Sequence, residues 1–283
     1  MSGIPKWAVG SNQYKKRPQT SAPARTDVVL SPPVSTEASV ILPGVLSFDP
    51  AQIDVSHMQK SNTQRVLARF RAQLPELVWN AAALEGNTYT LPEVRTLLEG
   101  VTVAGKTLHE QNQIINLSNA YNLLEEKVQE GSFNLDPQTA KQLHMQVAVD
   151  EAIEAGIFRG EGLATGGGHV MLSTGVRVAG IEHGRKGKHL NRTYLELQRL
   201  VEAQPDPRVG ALILFAGATR AQFFFDGNKR TARLLSAGWL MKHGFDAIGV
   251  PNVRRLEFNE ALDNMFQAGQ ADVLMSFLAS CAT

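Results

Sequence analysis

Two stretches in the second half of the chain constrain the fold most. The stretch that starts at Asp206-Pro207 and residues 228–243 are apolar on almost every side: Leu212, Ile213, Leu214 and Phe215 run together in the first, and Leu234, Leu235, Ala237, Gly238, Trp239, Leu240 and Met241 nearly fill one half of the second. A helix with no polar face belongs at the centre of a protein. Asp206-Pro207 opens the first as N-cap and N1, and Gly244 closes the second. Between them lies Phe225-Asp226-Gly227-Asn228-Lys229-Arg230, a connection so polar that burying it unpaired would be costly. The longest apolar run, Val209 to Ala218, is far too short to cross a bilayer.

Helical patterning extends upstream. Asn62 to Leu84 carries Val66, Phe70, Leu74, Leu77 and Val78 at helical spacing, with Pro75 predicting a kink or break. Thr90-Leu91-Pro92-Glu93 reads as a capping box that starts a helix ending at Gly100. Leu108 to Glu130 is the longest periodic run, and Asp136-Pro137 opens a helix expected to reach Ala155, before Gly156. Residues 160–187 are rich in glycine, and the alternation from His169 to Val178 predicts a short hairpin. The expected fold class is therefore mainly α with one small β-hairpin. No internal repeat or heptad run is present.

Composition narrows the function classes. Of 283 residues, 43% are hydrophobic and 19% charged, enough to bury a sizeable core. Lys and Arg number 28 against 27 Asp and Glu, so a net charge of +1 gives no electrostatic case for nucleic acid or a membrane surface as partner. The lone Cys281 excludes an internal disulfide and a cysteine-based metal cluster. Seven of the 13 prolines fall in the first fifty positions, and the stretch to Arg25 is basic without a single acidic residue. Residues 1–48 are read as a disordered tail, either a solvated leader or a recognition or secretion segment. No apolar run follows its basic residues, so a Sec-type signal is not expected. The simplest expectation is a soluble, cytoplasmic protein, with secretion by a non-Sec route left open. The remaining organisation is read as an N-terminal helical region at 49–104, a core at 105–250, and C-terminal helices at 251–283 packed on it.

The polar connection carries the chemistry. Gly227 allows a tight turn and Asn228 can begin the second helix, whose first N–H groups then converge where the helix dipole favours negative charge. Lys229, Arg230 and Arg233 add positive charge at the same end, a placement that opposes the dipole unless an anion sits there. Asp226 supplies a carboxylate of the kind that holds Mg²⁺ beside phosphates. On these residues alone, a phosphate-binding helix start and a solvated turn capped by Asp226 or Asn228 both remain open.

The stretch from Gln222 to Arg233 resembles the Fic (Fido-fold) signature H-x-F-x-[DE]-G-N-[GK]-R-x-x-R at every defined position except the first. Ala81 to Gly86 resembles that family's inhibitory motif, [ST]-x-x-x-E-[GN], and Gly156-Ile157-Phe158-Arg159 resembles the G-x-[YF]-R that precedes its substrate-docking hairpin. The three matches stand in the family's order across about residues 60–250. The resemblance implies a helical Fido fold with a hairpin flap, and transfer of AMP from ATP to a protein hydroxyl. Carried over, Asp226 would hold Mg²⁺ on the α- and β-phosphates. The N–H groups of Gly227, Asn228 and Lys229 would cradle phosphate oxygens, with the Asn228 side chain at the α-phosphate. Arg230 and Arg233 would neutralise the β- and γ-phosphates, and Phe224 would pack in the core. The hairpin within 160–180 would dock a target protein by strand addition, and Glu85 would pair with Arg233 to hold ATP unproductively. Fic proteins often pair through helices outside the core, which makes a homodimer a further implication.

The departures matter as much. The first signature position, where the family places its general base, is Gln222, which has no usable pKa near neutrality; general-base assistance is worth roughly 10²–10⁴ in rate. Slow transfer and a catalytically inactive nucleotide- or protein-binding module are thus both open. Of the seven histidines, His169 and His183 fall nearest the expected flap as substitute bases. Ala81 replaces the family's Ser or Thr in the inhibitory motif. Lys229 in the [GK] slot is shared with Doc proteins, which transfer the γ-phosphoryl group instead.

Overall fold

The computed structural model describes residues 39–282; of the tail expected over residues 1–48, residues 1–38 lie outside the described residues. At the centre stand α6 (Pro207–Ala221) and α7 (Asn228–Lys242), the two apolar runs. They pack antiparallel: near one end Trp239 Nε1 donates to Pro207 O at 3.1 Å, and one turn on Ser236 Oγ donates to Ala211 O at 2.8 Å. On α7 lie α3 (Leu108–Gln129) and α4 (Pro137–Ala148), and on α6 lies α5 (Lys188–Glu202). Gly238 of α7 lets the ring of Phe133, in the connection between α3 and α4, lie on the helix: a Cβ there would lie 2.3 Å from Phe133 Cε2.

Helix α1 (Thr63–Leu84) is capped by Asn62, whose Oδ1 accepts from Arg65 N at 2.8 Å; it buries Val66, Phe70 and Val78 and packs on α3, where Phe70 meets Tyr121. It runs through Pro75 without the expected break. The proline frees only the carbonyl of Arg71, on an exposed turn where water can satisfy it, while packing on both sides of that turn holds the helix. Helix α2 (Leu91–Leu98) starts at the capping box, with Thr90 N–H donating to Glu93 Oε2 at 2.7 Å. Helix α4 stops seven residues short of Ala155. Its chain turns there, Glu151 N–H donating to Ala148 O at 3.1 Å, and this brings the Glu151 side chain onto α7.

The expected tail boundary at residue 48 is wrong. Strands β1 (Ser39–Leu42) and β2 (Leu46–Phe48) form an antiparallel hairpin around Pro43-Gly44, where Val45 N–H donates to Leu42 O at 3.0 Å and Gly44 takes φ +70°. Proline here shapes a turn. Ile41, Leu42, Leu46 and Phe48 are buried, and β2 continues into the junction between α8 (Arg255–Ala268) and α9 (Asp272–Ser280): Ser47 N–H donates to Gly269 O and Ala271 N–H to Ser47 O. The second hairpin is the expected one, β3 (His169–Met171) against β4 (Arg177–Ala179), with His169 opposite Ala179 and Met171 opposite Arg177. The architecture is mainly α with small hairpins, and no helix among the described residues is long and apolar enough to cross a membrane.

Candidate active site

The connection between α6 and α7 is built as a rigid loop. Gln222 ends α6 in the left-handed region, at φ 54° and ψ 60°, which is uncommon for a residue with a Cβ. That reversal sends Phe223 and Phe224 into the core. Phe224 stacks on His144, rings 3.7 Å apart and 6° from parallel, and Phe158 packs within 5.2 Å of both phenylalanines. Gly227 then caps α7 at φ 68°, wedged against Val147 and Ala148. The Asn228 side chain spans the loop from inside: Oδ1 accepts from Phe224 N at 2.9 Å, while Nδ2 donates to Phe224 O at 2.8 Å and to Gln222 Oε1 at 3.1 Å. Asn228 was expected to reach toward a phosphate with its amide; the structure commits that amide to the loop.

Beneath the loop, His144 is fully buried. Its Nδ1 accepts from Gly156 N–H at 2.9 Å, so Nε2 carries the proton and donates to Asp226 O at 2.9 Å. Burial holds its pKa down to about 4, and it stays neutral. Nothing in the sequence distinguished His144 from an ordinary helix residue.

A cavity of about 580 Å³ opens over the loop, walled by β3 and by Asn259, Leu262, Asp263 and Phe266 of α8. Asp226 stands at its mouth with 62% of its side chain exposed, and Oδ1 accepts from Gly227 N–H at 2.6 Å. Arg230, expected to be free for phosphate, is instead gripped by Glu151 through two hydrogen bonds of 2.7 Å, with Asp226 Oδ1 at 3.7 Å. Burial alone would lower the Arg230 pKa; Glu151 outweighs it and raises it. Arg233 does not line the cavity. It lies buried over the Phe258 ring at 5.8 Å, and none of its three guanidinium nitrogens has an acceptor among the described residues.

Glu85, at the end of α1, does reach this site, but the expected pair with Arg233 is replaced by one with Lys229, at 3.1 Å from Oε2. Its other oxygen is buried without a partner. Burial pushes the carboxyl up, yet Lys229, Arg230 and Arg233 together prevail and hold it below the ordinary carboxylate value. The turn after Glu85 is fixed by Asn87, whose Nδ2 donates to Glu110 O and to Gln113 Oε1.

Arg159 ties the flap to the loop. Its backbone N–H donates to Phe223 O at 2.9 Å, its Nε to Gln222 O at 2.6 Å and its Nη2 to Ile181 O at 2.7 Å. Gly168 leaves room for that guanidinium, and Gly180 lies directly on Gln222, where a Cβ would meet Gln222 Cβ at 2.6 Å. At the tip, Ser173 donates to Asp263 Oδ2 from N at 2.9 Å and from Oγ at 2.5 Å. His169 lines the cavity; His183 does not, its Nδ1 donating to Gly184 O and its ring lying under Gly160. Gln222, which lines the cavity, is anchored at both ends of its amide: Nε2 donates to Thr219 O at 2.7 Å and Oε1 accepts from Asn228 Nδ2 at 3.1 Å.

The chain is similar to the protein adenylyltransferase Fic of Drosophila virilis, 25% identical over 248 residues that make up 84% of this chain and 47% of that protein. The Drosophila melanogaster protein of the same name is 25% identical over 246 residues, 83% of this chain and 46% of its own length. The chain thus spans about half the length of the curated relatives it matches. No family model matches it. Among solved structures, C. elegans Fic-1 superposes with a TM-score of 0.61 at 22% identity, over 80% of this chain and 64% of that one. A Fic-domain-containing signalling protein from Bacteroides thetaiotaomicron gives 0.63 at 18% identity, over 80% and 88%. Signature, fold and relatives agree: the chain has the fold of these Fic proteins and is similar in sequence to Fic adenylyltransferases.

Proposed function

We propose that this protein is a Fic-type nucleotidyltransferase that moves AMP from ATP·Mg to a hydroxyl of a target protein, held closed by Glu85 and slowed by Gln222. The observation that carries the reading is the charge at the start of α7. Lys229, Arg230 and Arg233 gather at a helix N-terminus already positive by its dipole, and the Arg233 guanidinium has three buried nitrogens without acceptors. Lys229 and Arg230 are paired with Glu85 and Glu151, which leaves Arg233 without a counter-ion, and the polyphosphate of a nucleotide would supply one.

The residues present also fit a metal carried in by the nucleotide. Among the described residues no cluster of three or more His, Cys, Asp or Glu offers a cation site. Asp226 is a single exposed carboxylate beside the loop, so it would hold Mg²⁺ whose other ligands are phosphate and water. Mg²⁺ there supplies charge neutralisation on the phosphates. The N–H groups of Gly227, Asn228 and Lys229 would take phosphate oxygens, Arg233 the distal phosphate, and Arg230, fixed by Glu151, would contribute its charge from below. Glu85 would act by keeping Lys229 and occupying the space a distal phosphate needs. Strand β3, whose His169 and Met171 side chains are exposed, offers an edge to which a target segment can add.

The committed amide of Gln222 favours a second reading, a nucleotide-binding module without transfer. Both are tested by incubating the unsubstituted protein, Glu85→Gly and Glu85→Gly/Gln222→His with α-labelled and γ-labelled ATP in a cell lysate. Label from α-labelled ATP, rising in that order, is the expected result. ATP binding with no transfer by the double variant would leave the binding module. Label from γ-labelled ATP alone would mean phosphoryl transfer, as in Doc.

A further inference from the structure

Charge over the whole chain nearly cancels, and one stretch departs from that balance. Between His183 and Leu200 stand Arg185, Lys186, Lys188, Arg192 and Arg199 against a single carboxylate, Glu196. All five cations are exposed. Among the described residues only Glu196, 4.0 Å from Arg192, comes within ion-pair distance of any of them. Exposed charge is ordinary in itself; the arrangement here is not.

Lys188, Arg192, Leu195 and Arg199 recur at i, i+4, i+7 and i+11, which puts them in one stripe along α5, opposite the buried Leu190, Tyr194, Leu197 and Val201. Leu195 is exposed within it, an apolar centre among the cations. Arg185 and Lys186 extend the stripe into the turn before the helix. That turn is fixed by hydrogen bonds: His189 N–H donates to His183 O at 3.0 Å, and Asn191 Nδ2 to Gly187 O at 3.0 Å. It rests on the segment that anchors the signature loop, since a Cβ at Gly187 would lie 3.3 Å from Arg159 O. Glu161, beneath the same glycine, is taken by Lys141 at 2.7 Å and Asn191 at 2.8 Å and supplies no counter-ion to the turn. Lys186 stands at φ 53°, and among the described residues Gln222 is the only other one with a Cβ at positive φ. A backbone held there persists because its surroundings fix it.

The stripe continues the flap. Strand β4 ends at Ala179, opposite His169 of β3, and Ile181 N–H donates to Ala221 O at 3.0 Å before the chain enters the turn. Six residues on from Ala179 comes Arg185, so the first cation stands at most about 20 Å from the flap. We infer that the stripe from Arg185 to Arg199 is a docking surface for an acidic segment of the target protein, lying beside the segment that adds to β3. The inference rests on the reading of the flap as the place where a target docks, and it adds the class of target selected. A protein suits this surface better than a nucleic acid or an anionic membrane. The stripe runs on from the flap, Leu195 interrupts it, and Glu182 and Glu196 flank it, so a uniform polyanion would meet an apolar side chain and two like charges. One exposed pair contributes little, whereas several cations in a row act together on the rate of encounter and the choice of partner. The effect therefore belongs in target affinity, weakens with salt, and leaves nucleotide binding alone.

Binding is measured by fluorescence anisotropy on the full chain, with two labelled peptides that share a Thr-Val-Ser-Val-Thr core followed by a run of glutamate or of glutamine. The glutamate peptide is expected to bind at least about tenfold more tightly at low salt and to lose that advantage at high salt. It should lose it equally in Arg185→Gln/Lys188→Gln/Arg192→Gln, whose exposed side chains leave Tm and ATP affinity unchanged. Saturating ATP·Mg should not displace the peptide, which separates the stripe from the cations at the start of α7. Equal affinities for the two peptides, displacement by ATP, or a glutamate preference that survives the triple substitution overturns the assignment. So does a single-stranded oligonucleotide or an anionic lipid vesicle that binds more tightly than the glutamate peptide and is released by the same substitution. Transfer is measured separately, with α-labelled ATP, a cell lysate and Glu85→Gly/Gln222→His. Adding the triple substitution should lower labelling at least about tenfold at low salt with the KM for ATP unchanged. Undiminished labelling overturns the docking surface and leaves the nucleotidyltransferase reading standing. No labelling by either protein, with the glutamate preference intact in binding, overturns that reading and leaves the docking surface.

Discussion

Gln222 is held at three atoms: its carbonyl by Arg159, its Nε2 by Thr219 and its Oε1 by Asn228. The residues that do this holding, with His144 and Glu151 below them, were the part of the site that the sequence did not disclose. The signature motif is contiguous, so its members are legible as a string. Its supports come from 63, 79 and 82 positions away, through Arg159, Glu151 and His144, and single side chains at such separations leave no local pattern. The pairing of Glu85 was misjudged for a related reason. Motif spacing puts Glu85 near the start of α7 but does not choose among three cations there, and Lys229 is the one it meets. His144 gives a prediction with a definite sign. Its pKa is held to about 4 in the fold against about 6.5 when unfolded, so between those values the unfolded state binds the extra proton. Stability is therefore full above about pH 6.5 and falls as pH drops toward 4, by about 3 kcal/mol from this group. Urea unfolding at pH 7.5 and 5 should show about 2 kcal/mol of that loss in the unsubstituted protein and a flatter response in His144→Asn; equal slopes would mean the imidazole titrates normally.

Helices were the most legible elements because their ends are written in short range: Asn62, Thr90, Thr107, Asp136 and Asp206 all stand as N-caps. What misled was composition read without geometry. Pro75 sits inside a continuous helix, and Pro43 makes a hairpin turn in a segment whose proline content suggested disorder. The α3–α7 contact supplies a prediction at this scale. Gly238 lets Phe133 and Leu124 lie against the α7 backbone, and a Cβ would fall 2.3 Å and 2.6 Å from their nearest atoms. Gly238→Ala gains helix propensity of about 1 kcal/mol. It forces the core apart at a cost of about 1–3 kcal/mol, and overpacking against a ring wedged in the core should prevail. A lower midpoint in urea with an unchanged m-value is the expected outcome; a raised midpoint would show that Phe133 moves aside freely.

Across the whole molecule, the described chain closes on itself. Residues 39–48, near its start, bond to the α8–α9 junction near its end, and Ile41 reaches α6, where it contacts Gly217. The hairpin is therefore part of the scaffold that holds α6, and through α6 the signature loop. Leu46 is 1% exposed, and Leu46→Ala should cost about 2–5 kcal/mol in a denaturant titration. A loss under 1 kcal/mol would show that the segment is peripheral. On the proposed function, the machinery for nucleotidyl transfer is present and lacks only its base. It is tested most directly by the rate at which α-labelled ATP modifies lysate proteins with Glu85→Gly/Gln222→His, divided by the rate with Glu85→Gly alone. A ratio of roughly 10²–10⁴, with no transfer from γ-labelled ATP, is the predicted result. A ratio near one, or no transfer by either variant while ATP still binds, would contradict it.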